Sequence, residues 1–308
     1  MMTATSSAER VCPLCESGSA SVVAHNARID EDALDEFAFA SRKVPEYMHH
    51  RLLRCTGCDV LYASPTPDPQ DLLSAYDTAG FDAGAESRYA ARTYARLLDG
   101  FLHRLPDRDG ALDIGTGDGS FLRELLDRGF TRVMGVEASR APVEAATDAV
   151  RPLIVNEAFR PGLSDPGSLT LVTCFQTIEH LFEPLAVCVE ALRLLRPGGA
   201  LLLVGHNRGA LSARVLGRRS PIYDIEHVQL FSPRSARLLL ERAGCVDVTV
   251  RPIVNTYPLS YWARLAPIPR RTKVAATTWL RHVRLALPLP AGNLAMYGFR
   301  AREHQVRN

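Results

Sequence analysis

The chain has 308 residues, 46% of them hydrophobic and 23% charged, with a formal net charge of +2 at pH 7. That length suits one large domain with an appendage, and the near-balanced charge argues against a dedicated nucleic-acid binder. No apolar run reaches the roughly 18 residues that a membrane-spanning helix needs.

The N-terminus lacks the basic start and apolar run of a secretory signal. The expected setting is therefore a reducing cytoplasm, where the seven cysteines act as thiols or metal ligands rather than as disulfides. Residues 1–10 are expected to be disordered. Cys12-Pro-Leu-Cys15 and Cys55-Thr-Gly-Cys58 then form two Cys-x-x-Cys pairs, separated by 39 residues. Each pair can place two thiolates on one tetrahedral ion, and two pairs complete a four-cysteine zinc shell with no open position, hence a structural one. A redox pair or unoccupied thiols are the alternatives. Part of the insert, 30–41, is acidic with a helical pattern. The run from Arg54 through Tyr62, followed by Ser-Pro-Thr-Pro, resembles the zinc-bearing N-terminal segment of some sugar and natural-product methyltransferases.

Pro65, Pro67 and Pro69 mark a linker. Tyr94, Leu97, Leu98, Phe101, Leu102 and Leu105 recur at spacings of three and four, which predicts an amphipathic helix over 88–105. The organising stretch follows. The short apolar run 111–114 carries Asp113, and Gly115, Gly117 and Gly119 alternate before a helical pattern with Leu122, Leu125 and Leu126. Strand, glycine turn and helix open a nucleotide-binding βαβ unit. The dinucleotide fingerprint wants a glycine at the sixth place, which here is Ser120. Asp113 would repel a pyrophosphate but suits an ammonium, such as that of S-adenosylmethionine. Asp-Ile-Gly-Thr-Gly-Asp-Gly resembles the first motif of class I S-adenosylmethionine-dependent methyltransferases. The resemblance implies that Asp113, Gly115 and Gly117 hold the methionine end of that cofactor.

A second strand over 131–136 ends at Glu137, whose carboxylate can accept hydrogen bonds from both ribose hydroxyls. A helix over 141–150 and a short strand over 153–155 follow. The resemblance then puts Glu157 and Ala158 at the adenine, with glutamate where the family more often has aspartate. Residues 169–174 read as a doubly covered strand. After it comes Phe-Gln176-Thr-Ile-Glu179-His180-Leu, similar to the corresponding motif of ubiquinone-type O-methyltransferases. Some of these carry Glu-x-x-Glu-His and bind a divalent metal; here Gln176 stands in place of the first glutamate, a departure that argues against a metal at this motif, and Gln176 is assigned to the cofactor. Cys174 and Cys188 lie in apolar surroundings and read as inert core thiols.

A helix over 184–195, a stop at Arg196-Pro-Gly-Gly199 and a fifth strand over 200–204 lead into 206–231, polar and loop-like. Its place beyond the carboxyl end of a strand makes it a substrate loop. Ser232 and Pro233 are set to cap the next helix, which ends at Gly244 before a sixth strand over 245–250. Residues 251–290 form a basic, proline-punctuated insert with Trp262 and Trp279. It reads either as an amphipathic surface for a membrane or lipid-linked substrate, or as a lid packed on the protein. A last strand over 293–300 supplies an antiparallel edge.

The expected architecture is an α/β Rossmann-like three-layer sandwich with a mostly parallel seven-stranded sheet. Residues 1–66 would form the zinc module, 67–110 the linker and leading helix, and 111–308 the methyltransferase domain. The resemblance implies methyl transfer to a small molecule, a sugar or glycosylated natural product being favoured. Ribosomal or transfer RNA, and a non-catalytic regulatory protein keeping the fold, are the rivals. For a hydroxyl acceptor a base is needed; His227, flanked by Glu226, and His180 are the candidates.

Overall fold

The structure, a computed structural model, describes residues 9–16, 21–30, 45, 47–81, 84–266, 270–280, 282–283 and 285–302. The expectations for 1–8 and for the helical pattern of 31–41 lie outside the described residues. Arg10, expected to be disordered, is instead pinned: its guanidinium donates to the carbonyls of Phe182 and Val228 and to Gln229 Oε1.

In chain order the strands and helices begin with β1 (Ser21–His25), β2 (Leu52–Cys55), β3 (Leu61–Ala63), α1 (Pro69–Thr78), α2 (Gly84–Asp99), β4 (Ala111–Ile114) and α3 (Ser120–Asp127). Next come β5 (Val133–Val136), α4 (Arg140–Ala145), β6 (Ile154–Val155), β7 (Leu169–Phe175), α5 (Pro184–Leu194) and β8 (Leu195–His206). The chain closes with α6 (Leu211–Leu216), β9 (Gln229–Leu230), α7 (Pro233–Ala243), β10 (Val246–Pro258), α8 (Leu259–Leu265), α9 (Arg270–Leu280) and β11 (Ala286–Phe299). No helix among the described residues is long and apolar enough to cross a membrane.

The larger sheet has the order β10-β11-β8-β7-β4-β5-β6. Every residue of β4 and β7 is buried, as strands covered on both faces must be. One face packs against α2 and α3 through Tyr94, Leu98, Phe121 and Leu125. The other meets α5 and α7 through Ala191, Leu194, Ala236 and Leu239. Ser232 caps α7 by accepting from the Ser235 N–H, with Pro233 at the first helical position and Gly244 closing it at φ 97°.

The sheet is mixed, and its antiparallel member is not the edge that 293–300 was expected to be. β11 lies between β8 and β10, antiparallel to both, and β10 takes the edge. Both strands run well into the 251–290 insert. Pro252, Pro258, Pro288 and Pro290, which read as breakers, all lie within them. This is tolerated because β10 has one free side, and 286–289 pairs with β10 beyond the reach of β8, so a missing N–H there breaks no interior ladder. The rest of the insert is α8 and α9. Trp262 is tied inward by its indole N–H to the Leu287 carbonyl, whereas Trp279 is 71% exposed.

The segment 206–231 also departs from the polar loop expected of it. It contains α6 and β9, and Asp224, Glu226, His227 and Gln229 are all buried. The cause is a second, four-stranded sheet, β1-β2-β3-β9, in which β3 of the N-terminal segment pairs with β9, Leu61 opposite Leu230. Arg208 adds an ion pair to Asp59, and Arg234 donates to the Gly57 carbonyl at 2.7 Å.

Candidate functional site

The glycine turn between β4 and α3 is built by three residues with positive φ: Gly115 at 71°, Gly117 at 58° and Gly119 at 71°. A Cβ on Gly115 would fall 2.2 Å from Thr177 Oγ1, and one on Gly119 3.0 Å from Val150 Cγ2. Nothing lies within 4 Å of a Cβ built on Gly117. Gly117 is thus bare toward open space, while its neighbours are bare because the protein packs against them. The turn is held from β5: Glu137 Oε2 accepts the Gly117 N–H at 2.8 Å, and Oε1 accepts that of Ser139 at 2.9 Å. Burial raises the Glu137 carboxyl above its usual range despite these donors. Asp113 accepts the Thr173 hydroxyl at 2.6 Å, and burial pushes its carboxyl up to about 7.

These residues open onto a cavity of about 600 Å³. The candidate cofactor and proton-acceptor residues all line it: Asp113, Gly115, Gly117 and Glu137, then Glu157, Ala158 and Gln176, and finally His180 and His227. Glu157 is paired with Arg160 at 3.1 Å. Gln176 has φ 54°, uncommon for a non-glycine residue, and its Nε2 is buried without a hydrogen-bond partner. Such strain and an orphaned amide are costs that a ligand-binding position offsets in function.

The far end of the cavity collects titratable groups. His180 Nδ1 lies 2.7 Å from the Tyr76 hydroxyl and 3.5 Å from Glu226 Oε2. His227 Nδ1 lies 2.8 Å from the Ile222 carbonyl, which can only accept, so Nδ1–H donates there. The His180 and His227 rings are 4.9 Å apart, as are those of His206 and His227. Burial pushes the His206 imidazole down to about 4 and raises the Glu179 carboxyl. Sequence reasoning missed His206 and Tyr76 on the cavity floor, and it missed Tyr257 and Tyr261 in the wall; Glu179 is fully buried behind His206, its Oε1 3.7 Å from His206 Nε2. His206 sits at a strand end, a signal that was available; Tyr76 on α1 carried none.

Away from the cavity, the sulfurs of Cys12, Cys15, Cys55 and Cys58 lie within 4.8 Å of one another, with Cys12–Cys58, Cys12–Cys15 and Cys15–Cys55 at 3.4 Å. The neighbouring Cys58 thiol holds Cys12 down to about 5. Cys174 and Cys188 are buried, and burial raises both thiols above their ordinary range.

A family model described as a methyltransferase domain matches residues 87–250. A Mycolicibacterium smegmatis protein named "Probable S-adenosylmethionine-dependent methyltransferase" is 34% identical over 163 residues, 52% of this chain and 60% of its own length. A ubiquinone biosynthesis O-methyltransferase of Vibrio cholerae is 25% identical over 166 residues, 48% of this chain and 67% of that protein. Among solved structures, a SAM-dependent methyltransferase from Thermotoga maritima matches 70% of this chain and 91% of its own, at 18% identity and a TM-score of 0.48. The match to the Mycolicibacterium relative thus leaves two-fifths of that protein uncovered. The family match runs from α2 through β10 and takes in the glycine turn, Glu137 and the histidine-bearing strand ends; the chain belongs to the methyltransferase-domain family.

Proposed function

We propose that this chain is an S-adenosylmethionine-dependent methyltransferase whose acceptor is a small molecule, a sugar or glycosylated natural product being favoured. The bare left-handed Gly117, held by Glu137 at the mouth of the cavity, carries the reading. Asp113, Gly115 and Gly117 hold the methionine end, Glu137 the ribose, and Glu157 with Ala158 the adenine. The orphaned Gln176 amide supplies a further polar contact. When bound, the cofactor supplies an electrophilic methyl group on a sulfonium.

The chain's own work is to exclude water and align the acceptor. A cavity of about 600 Å³ with a polar floor and an aromatic wall of Tyr257, Tyr261 and Trp262 suits a compact polyhydroxylated molecule. His227 and His180 are the proton acceptors proposed for a hydroxyl acceptor, each with Nδ1 anchored on an oxygen. Zinc is proposed at Cys12, Cys15, Cys55 and Cys58. Four thiolates about 2.3 Å from a tetrahedral zinc lie about 3.8 Å apart, close to the sulfur spacing here.

Transfer of labelled methyl from S-adenosylmethionine to pooled metabolites, run beside pooled RNA, tests the function. Label in the small-molecule fraction is expected. Label in RNA overturns the acceptor class, and cofactor binding without turnover on either pool marks a non-catalytic protein. Calorimetry with NAD in parallel gives binding of S-adenosylmethionine alone if the cofactor is assigned correctly.

A further inference from the structure

We infer that the rim of the cavity, formed by α6, the paired ends of β10 and β11 and the helices α8 and α9 between them, is a docking surface for an anionic lipid bilayer. Ser212 and Leu216 of α6, Leu265 of α8 and Leu289 of β11 all line the cavity. α6 sits directly on β11: a Cβ on Gly292 would fall 2.8 Å from Ser212 Oγ. Leu289 is exposed despite lining the cavity, and one turn of α6 points Leu211 and Val215 outward at 75% and 74% exposure. They are the two most exposed large apolar side chains among the described residues.

α9, which packs on α8, is amphipathic the wrong way round for a helix that faces water. Lys273 is buried, with Nζ 5.9 Å from the centre of the Tyr47 ring, while Val274 and Trp279 stand in solvent. A surface helix in water does the reverse, burying its tryptophan and letting its lysine snorkel out. Exposed apolar side chains grouped on several elements around one opening mark an interaction surface, and tryptophan favours the headgroup level of a bilayer. Charge selects the partner. Residues 207–223 and 251–290 hold ten arginines and one lysine, with no aspartate or glutamate, in a chain whose net charge is only +2. Arg214, Arg218 and Arg219, on α6 and just beyond it, are exposed in the same segment as Leu211 and Val215. Apolar side chains set among cations fit the acyl boundary and headgroups of an anionic membrane. A second copy of this chain would present the same cations and be repelled.

Co-sedimentation of the full-length protein with vesicles, without cofactor or acceptor, tests the surface independently of methyl transfer. Binding to an equal mixture of phosphatidylglycerol and phosphatidylcholine is expected, with little on phosphatidylcholine alone and a loss at high salt. Fluorescence of Trp279 should shift to the blue on binding, and Trp279→Phe should bind with that shift lost. Val215→Ser combined with Trp279→Ser should lose binding, and Arg218→Ser or Arg219→Ser should each weaken it about five-fold. All four side chains are exposed, so melting temperatures should stay unchanged. Val189→Ser, exposed on α5, is the control and should bind as the unaltered chain does. No binding to the anionic vesicles, equal binding to phosphatidylcholine alone, or full binding by the Val215→Ser, Trp279→Ser protein would each overturn the surface. So would a vesicle-free dimer, seen by sedimentation velocity, that those two substitutions split, because it would give the face to a second copy.

Discussion

Glu137 Oε2 accepts the backbone N–H of Gly117 across the gap between the first two parallel strands of the βαβ unit. The acidic residue that closes the second strand therefore also shapes the glycine turn after the first. A carboxylate has lone pairs for these N–H groups and for a ribose hydroxyl together. Glu137→Ala should weaken S-adenosylmethionine binding by roughly 1–3 kcal/mol and lower the melting temperature of the cofactor-free protein. Glu137→Gln should not rescue it, because its NH₂ would face the N–H of Gly117 or Ser139. Calorimetry and thermal melts of the three proteins check this.

The two glycines of the turn should fail in different ways. Gly115→Ala drives a Cβ into Thr177 and should destabilise the fold strongly. Gly117→Ala meets no protein atom, so its cost to the fold is the left-handed strain of about 1–2 kcal/mol. Its cofactor affinity should collapse, since the added methyl occupies ligand space. Equal losses of stability in both variants would remove Gly117 from the cofactor site.

Asp113 makes cofactor binding depend on pH. Its carboxyl titrates at about 7 in the fold against 3.8 for the ordinary side chain, because burial disfavours the charge. Between those values the folded chain holds a proton that the unfolded chain has released. Its contribution to stability therefore falls as pH rises through that window and levels off above about 7. An ammonium docked nearby favours the charged form, so S-adenosylmethionine should bind more tightly as pH rises through 7, with proton release below it. Asp113→Asn should flatten both profiles, measured by denaturation and by calorimetry in buffers of different ionisation enthalpy.

Alanine at His180 should lower turnover by about 10²–10⁴-fold while leaving cofactor affinity nearly unchanged, as loss of a general base does. Steady-state rates and calorimetry on one preparation separate this from a folding defect, in which both fall together.

Metal removal should act on the acceptor end of the cavity before the cofactor end. The zinc proposed at the four cysteines would sit at the base of the sheet that β9 completes, and Arg10 bridges the same N-terminal segment to Phe182 and Val228. Cys55→Ser should lose about one zinc per chain by elemental analysis, speed hydrogen exchange at 224–230 and raise the acceptor KM more than the cofactor Kd.

Local signals explain what was legible in the sequence. The glycine turn, the Ser232 cap and the paired cysteines are chemistry over a few neighbouring residues, and each lies in the structure where its pattern placed it. The segment 206–231 read as polar because Asp224, Glu226, His227 and Gln229 are polar; they are buried by partners, and those partners are distant in sequence. Gln229, for instance, donates to the Ile178 and Leu181 carbonyls. The prolines of 251–290 punctuate a sequence but do not break a strand whose open side needs no donor. The grouping of Glu179, His206 and His227 follows from strand order, which periodicity does not encode.

The pairing of Leu61 with Leu230 joins segments that lie on either side of the whole nucleotide-binding core. Closing so long a loop is entropically slow compared with forming the neighbouring βαβ contacts. The cofactor crevice, made by β4, α3 and β5, is close to local in the chain, whereas the floor beneath the acceptor waits for both ends of that loop. On refolding, the chain should regain affinity for the cofactor before it regains a formed acceptor floor.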